Sequence, residues 1–334
     1  MPFDLAFLWA GLIAFAILAY VVLDGFDLGV GILFPLLDGE AHKDLAMNTV
    51  APVWDGNETW LILGGGGLFA VFPLAYAVVM PALYAPIIAM LLALIFRGVA
   101  FEFRWRTKRG KFLWDVSFFG GSVLAAFAQG VALGALVQGI AVENRAYAGG
   151  NWDWLTPFSI LTGVALIAGY ALLGATWLVL KTAGYVRERA VALAWLLGPA
   201  TIGLIGVVSL WTPLLNRLYF ERWFSLPNVL FTTFVPALLL VAGFFFVRGL
   251  REGRDLWPFL SALAIFVLSF VGLGISFYPF MVPPSLTIWD TAAPDQSLWF
   301  LLVGALVLVP MILAYTAYAY WVFRGKIDPD HGYH

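Results

Sequence analysis

Nine stretches of this chain are long and apolar enough to cross a lipid bilayer, and no other feature constrains the fold as strongly. A helix needs about 20 mainly apolar residues to span a hydrocarbon layer about 30 Å thick. Residues 5–36, 55–75, 77–101, 114–140, 157–180, 190–212, 228–248, 257–279 and 297–322 meet that requirement. Within hydrocarbon every backbone amide must find its partner inside the chain, so such stretches become helices. The fold class is therefore an all-α polytopic membrane protein, with residues 1–334 forming a single membrane domain of nine transmembrane helices. Composition agrees, because 62% of residues are hydrophobic and 11% charged, against about 25% charged in ordinary water-soluble domains. A soluble enzyme, a nucleic-acid-binding protein and a disordered chain are excluded.

The net charge of −2 supplies no field to attract a polyanion. Its distribution is more informative. Alternate loops carry fourteen Lys and Arg, beginning with Lys43 and the run from Arg104 to Lys111, while the opposite loops carry only Arg145, Arg217 and Arg222. Cytoplasmic loops hold the basic excess, which predicts an N-terminus outside and a C-terminus in the cytoplasm. No Lys or Arg precedes Lys43, so residues 5–23 read as a retained span rather than a cleaved signal. The chain has no Cys, and its three His (His42, His331 and His334) all lie outside the apolar stretches. A haem buried in this chain would lack its commonest ligand, and no metal site is expected.

Charged side chains at membrane depth are expensive and tend to be functional, and here they cluster. Asp24 and Asp27 share one helix face near the end of the first span, and Asp55 and Glu58 repeat the spacing at the start of the second. If these neighbouring spans pack antiparallel, four carboxyl groups converge on one region. The single intramembrane cation, Arg97, cannot neutralise them all, so some are expected to hold a proton. That is the chemistry of a proton relay or of an H⁺- or Na⁺-coupled transporter. A purely structural alternative has Asp55 and Glu58 serving a helix start while Asp24 and Asp27 pair locally. Arg97 and Glu102 are placed to pair with each other or with the acids. Asp115 reads as a helix cap, Asp290 as the cap of a short interfacial helix, and the glycines of 25–31 and 64–67 as sites of close helix packing.

The segments Asp24-Gly25-Phe26-Asp27-Leu28-Gly29-Val30-Gly31 and Pro52-Val53-Trp54-Asp55-Gly56-Asn57-Glu58-Thr59-Trp60 resemble subunit II of the cytochrome bd-type quinol oxidases, including the cyanide-insensitive branch. So do Gly65-Gly66-Gly67-Leu68-Phe69-Ala70 and Ser285-Leu286-Thr287-Ile288-Trp289-Asp290, and the resemblance runs the length of the chain. It implies a multi-pass subunit of the bacterial cytoplasmic (inner) membrane, paired with a homologous haem-bearing subunit I and in some relatives a small single-span subunit. Quinol and dioxygen would be the substrates of the complex. The haems, b with d or a further b, would sit in the partner, and some relatives hold a structural quinone in subunit II. The resemblance also implies that Asp24 and Asp55 begin a cytoplasmic proton path, with Asp27 and Glu58 in the same motifs. In the mechanism expected here Glu58 is a branch, Trp54 and Asn57 shape the channel, and Arg97 and Glu102 support the acids. A stand-alone secondary transporter using the same acids is the alternative.

Overall fold

The computed structural model describes residues 4–327. His331 and His334 lie outside the described residues. In chain order the helices are α1 (Leu5–Leu33), α2 (Glu40–Asn48), α3 (Trp54–Val71), α4 (Pro73–Ala82), α5 (Tyr84–Arg106), α6 (Lys111–Gln138), α7 (Pro157–Lys181), α8 (Gly184–Leu215), α9 (Arg217–Phe224), α10 (Asn228–Thr232), α11 (Phe234–Glu252), α12 (Leu256–Phe277), α13 (Ile288–Thr291) and α14 (Asp295–Val322). Two short antiparallel hairpins, β1 (Val142–Glu143) with β2 (Ala146–Tyr147) and β3 (Phe280–Val282) with β4 (Leu286–Thr287), decorate the end of the bundle opposite the basic loops.

Among the described residues eight helical segments are individually long and apolar enough to span, α10 and α11 running together as one. A ninth comes from α3 and α4, bent by 119° where they meet. The expected spans 55–75 and 77–101 are corrected here. Phe72 leaves the helical region (φ −123°, ψ 62°), and Pro73 has no N–H with which to continue the ladder. α3 therefore stops at Val71 after 18 residues, about 27 Å, and the next long helix starts only at Tyr84. Between them α4 turns aside and packs against α13 and the hairpins.

α7 is the centre of the bundle, with 67% of its span buried, whereas α14 lies at the periphery with 11%. α7 packs against α1 with the backbones almost touching, because a Cβ on Gly29 would stand 2.6 Å from the Gly174 nitrogen and one on Gly174 would stand 2.7 Å from the Gly29 Cα. Close packing is therefore the role of that pair. In the glycine run of α3, Gly65 and Gly66 face nothing within 4 Å in this chain.

At the basic end, Arg104 is fully buried and binds Asp115 at 2.6 Å, Asp44 at 2.5 Å and Glu40 at 3.1 Å, which pins α2 against α5 and α6. Asp115 thus serves an ion pair and not a cap, since α6 already begins at Lys111. Part of the basic run 104–111 belongs to the same network, Lys111 reaching Glu40 at 3.0 Å. Asp290 does complete a helix start: its carboxylate accepts from the Thr287 N–H at 2.9 Å, and the Thr287 hydroxyl accepts from the Asp290 N–H at 3.2 Å.

The segment after α14 is held to the bundle by Lys326, which donates to the Thr182 carbonyl at 2.6 Å and to Asp255 at 2.7 Å, and Asp255 also takes Arg187 at 2.6 Å. Partial burial raises the Asp255 carboxyl, but the hydrogen bonds from Arg187 and Lys326 outweigh it and hold the group below its ordinary 3.8. A lowered folded value means that the stabilisation is present above the ordinary value and is lost as pH falls through the folded one. Hydrogen exchange of residues 323–327, corrected for intrinsic rates, should therefore be flat from about pH 7 to about pH 5. Asp255→Asn should speed it several-fold at neutral pH. Loss of protection in the parent within that window, or no change in the variant, would contradict this anchoring.

Candidate functional site

α5 carries Arg97 into the interior, and two other helices surround it with acids. Its Nη1 lies 3.0 Å from Asp24 Oδ1 and 2.6 Å from Glu58 Oε1, and its Nη2 lies 4.0 Å from Asp27 Oδ2. Arg97, Asp24 and Asp27 are fully buried, while the Glu58 side chain is 23% exposed. The guanidinium also sits 6.0 Å from the Trp54 ring and 5.7 Å from the Phe101 ring, which stack on each other at 4.7 Å, so aromatic faces supply the rest of its cradle.

Hydrogen bonds extend the cluster across the bundle. Asn57 donates to Asp27 Oδ2 at 2.7 Å and accepts from the Tyr320 hydroxyl at 3.0 Å, which ties α1 and α3 to α14. On the other side Tyr20 lies beside Asp24. Gln129 donates to the Tyr20 hydroxyl at 2.7 Å and accepts from Tyr170 at 2.8 Å. Asp24 Oδ2, Asp27 Oδ1 and Arg97 Nε have no hydrogen-bond partner among the described residues. With every group ionised, three carboxylates against one guanidinium leave a formal −2 in the interior, a costly state at membrane depth. Exchange of protons is the chemistry that such a cluster supports.

Asp24, Asp27, Glu58, Arg97, Asn57 and Trp54 are thus brought together, but the expected convergence of four carboxyls stops at three. Asp55 is exposed on the outer side of α3. Three residues of helix rotate a side chain by about 60° from its neighbour, enough to turn Glu58 inward and leave Asp55 outside. Glu102 is also separate: its side chain is 66% exposed and 3.8 Å from Arg106 one turn on, so it pairs neither with Arg97 nor with the buried acids. Tyr320, Gln129 and Tyr170 were not singled out by sequence. Tyr20 carried a local signal, one turn before Asp24 on the same face, whereas Tyr320 is 263 residues from Asn57 and had none.

The Arg97 cluster contains no histidine. The one described histidine, His42, is bonded to the Asp38 carbonyl at 2.6 Å and stacked on Tyr185 at the basic end. Among the described residues no group of His, Asp and Glu is arranged to hold a metal ion.

Cytochrome bd-I ubiquinol oxidase subunit 2 of Escherichia coli (strain K12) is 31% identical over 98% of this chain and 96% of its own length. Cytochrome bd ubiquinol oxidase subunit 2 of Bacillus subtilis (strain 168) is 30% identical over 96% of each. Among solved structures, a chain of the bd oxidase from Geobacillus thermodenitrificans superposes with a TM-score of 0.77 over 97% of this chain and 100% of that one, and at 18% identity the likeness is one of fold. The family model for cytochrome bd terminal oxidase subunit II matches residues 5–323, and this bent, glycine-packed bundle around a buried arginine–carboxylate cluster belongs to that family.

Proposed function

We propose that this chain is the haem-free half of a bd-type quinol oxidase in the bacterial cytoplasmic membrane, where it scaffolds a homologous haem-bearing subunit I and delivers protons for the reduction of dioxygen to water. Oxidation of quinol and transfer of electrons to dioxygen belong to that partner. The observation that carries the reading is the buried Arg97 cluster with its surplus of carboxylates, in a chain whose relatives are named as ubiquinol oxidase subunits.

In this mechanism the basic end of the bundle faces the cytoplasm, as the distribution of Lys and Arg favours. Asp24 takes a proton from that side, with Asp27 as its buried neighbour. Arg97 holds the carboxylates close together and stabilises whichever of them is ionised. Asn57 keeps Asp27 in place, and Trp54 walls the cluster with Phe101. Glu58 is the least buried of the three acids and stands one turn from Asp55. Asp55, exposed at the start of α3, is the second carboxyl at which the path begins, with Glu58 one turn deeper as a branch. A stand-alone transporter is not favoured, since the named relatives are oxidase subunits.

Asp24→Asn and Asp55→Asn should each lower oxygen consumption by the purified complex by about two orders of magnitude, the scale of a lost proton-transfer group, while haem content stays that of the parent. Parental turnover in both variants at equal haem content would remove the relay. Asp55→Glu, which keeps the carboxyl, should recover most of the rate.

A further inference from the structure

A second polar site lies at the basic end, away from the Arg97 cluster. The end of α7, the end of α14 and the connection from α2 to α3 surround a cavity of about 270 Å³, roofed by residues 323–327. Lys181, the last residue of α7, forms part of its wall and is only 6% exposed. Its Nζ donates to the Phe323 carbonyl at 2.5 Å and lies 5.3 Å from the Trp177 ring, yet no carboxylate pairs with it among the described residues. The other buried cations, Arg97 and Arg104, each face several acids. Asn48, also in the cavity wall, is 8% exposed and its Oδ1 has no hydrogen-bond partner among the described residues. Arg324 stands exposed at the rim and adds a second cation.

A buried ammonium with no carboxylate beside it among the described residues suits an anion, and a buried carbonyl oxygen with no donor among them suits a hydrogen-bond donor. One ligand class meets both demands: a phosphate bearing a hydroxyl. We propose that this cavity binds such a group, either the headgroup of an anionic phospholipid such as phosphatidylglycerol or free inorganic phosphate. The phosphate would face Lys181 and Arg324, and the hydroxyl would donate to Asn48 Oδ1. Two observations suit a lipid. The cavity lies at the ends of α7 and α14, which on the proposed membrane placement is the depth of headgroups, and basic pockets between spans on the cytoplasmic side of a membrane hold them. The outer face of α14 beside it is largely exposed and apolar, which leaves room for acyl chains outside a cavity sized for a headgroup. This inference needs the membrane placement of the chain but not the proton relay.

The test uses the complete oxidase, stripped of lipid by prolonged detergent washing, as the parent and as Lys181→Gln, Asn48→Ala and Arg324→Gln. In native mass spectrometry with added phosphatidylglycerol, the parent should retain one more molecule than Lys181→Gln, whose apparent affinity falls about tenfold, the scale of one lost charged hydrogen bond. Asn48→Ala should lose less, and phosphatidylcholine, which has no hydroxyl donor and no net charge, should not distinguish parent from variants. In a parallel arm, inorganic phosphate is compared with chloride at equal ionic strength by thermal unfolding. A rise in midpoint in the parent that Lys181→Gln abolishes, without differential lipid retention, identifies free phosphate as the ligand. Equal lipid retention together with equal phosphate response in parent and Lys181→Gln overturns the site. If Lys181→Gln does not assemble, Asn48→Ala and Arg324→Gln are read by the same two measurements, and parental behaviour in both overturns it.

Discussion

Arg97→Gln is expected to abolish recovery of a folded, assembled complex, the largest effect of any single polar substitution in the chain. Arg97 is fully buried and, among the described residues, is the one cation paired with Asp24, Asp27 and Glu58. Removing one partner of a buried ion pair costs about 3–5 kcal/mol, and here one removal strips three acids at once. That is a large share of the about 5–15 kcal/mol by which folded domains are ordinarily stable. The Gln side chain could bond one carboxyl but would leave the surplus charge in place. Arg97→Lys should be intermediate, because a point charge cannot face Asp24 and Glu58 through one nitrogen and Asp27 through another as the guanidinium does. Pairing Arg97→Gln with Asp24→Asn and Asp27→Asn should restore much of the yield, since the unbalanced charge goes with the cation. The readout is the amount of monodisperse, haem-loaded complex after detergent extraction. Parental yield and thermal midpoint for Arg97→Gln would show that the cluster is not held by its arginine.

Gly174→Val should be nearly as damaging, for a reason that involves no charge. A Cβ at that position would lie 2.5 Å from the Val30 nitrogen and 2.7 Å from the Gly29 Cα, and these are backbone atoms that cannot rotate away. α1 and α7 would have to separate along a contact that also holds Tyr170 against Gly25. Overpacking typically costs about 1–3 kcal/mol and occasionally more, and a clash of backbone with backbone belongs at the upper end. Because α1 carries Asp24 and Asp27, the displacement would also open the distances around Arg97. Gly65→Ala is the matched control, since nothing in this chain lies within 4 Å of the added carbon. Relief of glycine's conformational entropy should leave that variant as stable as the parent or slightly more so, by about 0.5–1 kcal/mol. Thermal unfolding of the purified complexes separates the two, and equal midpoints for Gly174→Val and Gly65→Ala would refute the packing argument.

Several features were legible in the sequence for direct physical reasons. Hydrocarbon admits only internally bonded backbone, so the length of each apolar stretch was enough to mark it as a helix. The cost of charge in the membrane marked Asp24, Asp27, Glu58 and Arg97 as unusual before any contact was known. Other readings failed where local pattern leaves the answer open. The i, i+3 spacing places two side chains on one broad face but does not say which of them crosses into the core, so Asp55 could not be told from Glu58. The same holds for Glu102, which points outward beside Arg106. Asp115 looked like a helix cap because its partners, Arg104 and Lys43, come from other elements.

Residue chemistry alone sets what kind of solvent the chain requires, which stretches are apolar enough to cross, and which side chains are too costly to be there by accident, because each of these follows from transfer free energies of residues taken one at a time. Tertiary packing set which carboxyls share Arg97, that Phe72 and Pro73 turn a second span into a bent pair, that Tyr320 closes on Asn57 from the far end of the chain, and that Lys181 meets no acid among the described residues. Those outcomes depend on how helices rotate and approach one another, and close backbone contact at Gly29 and Gly174 sets that approach through packing between residues far apart in sequence.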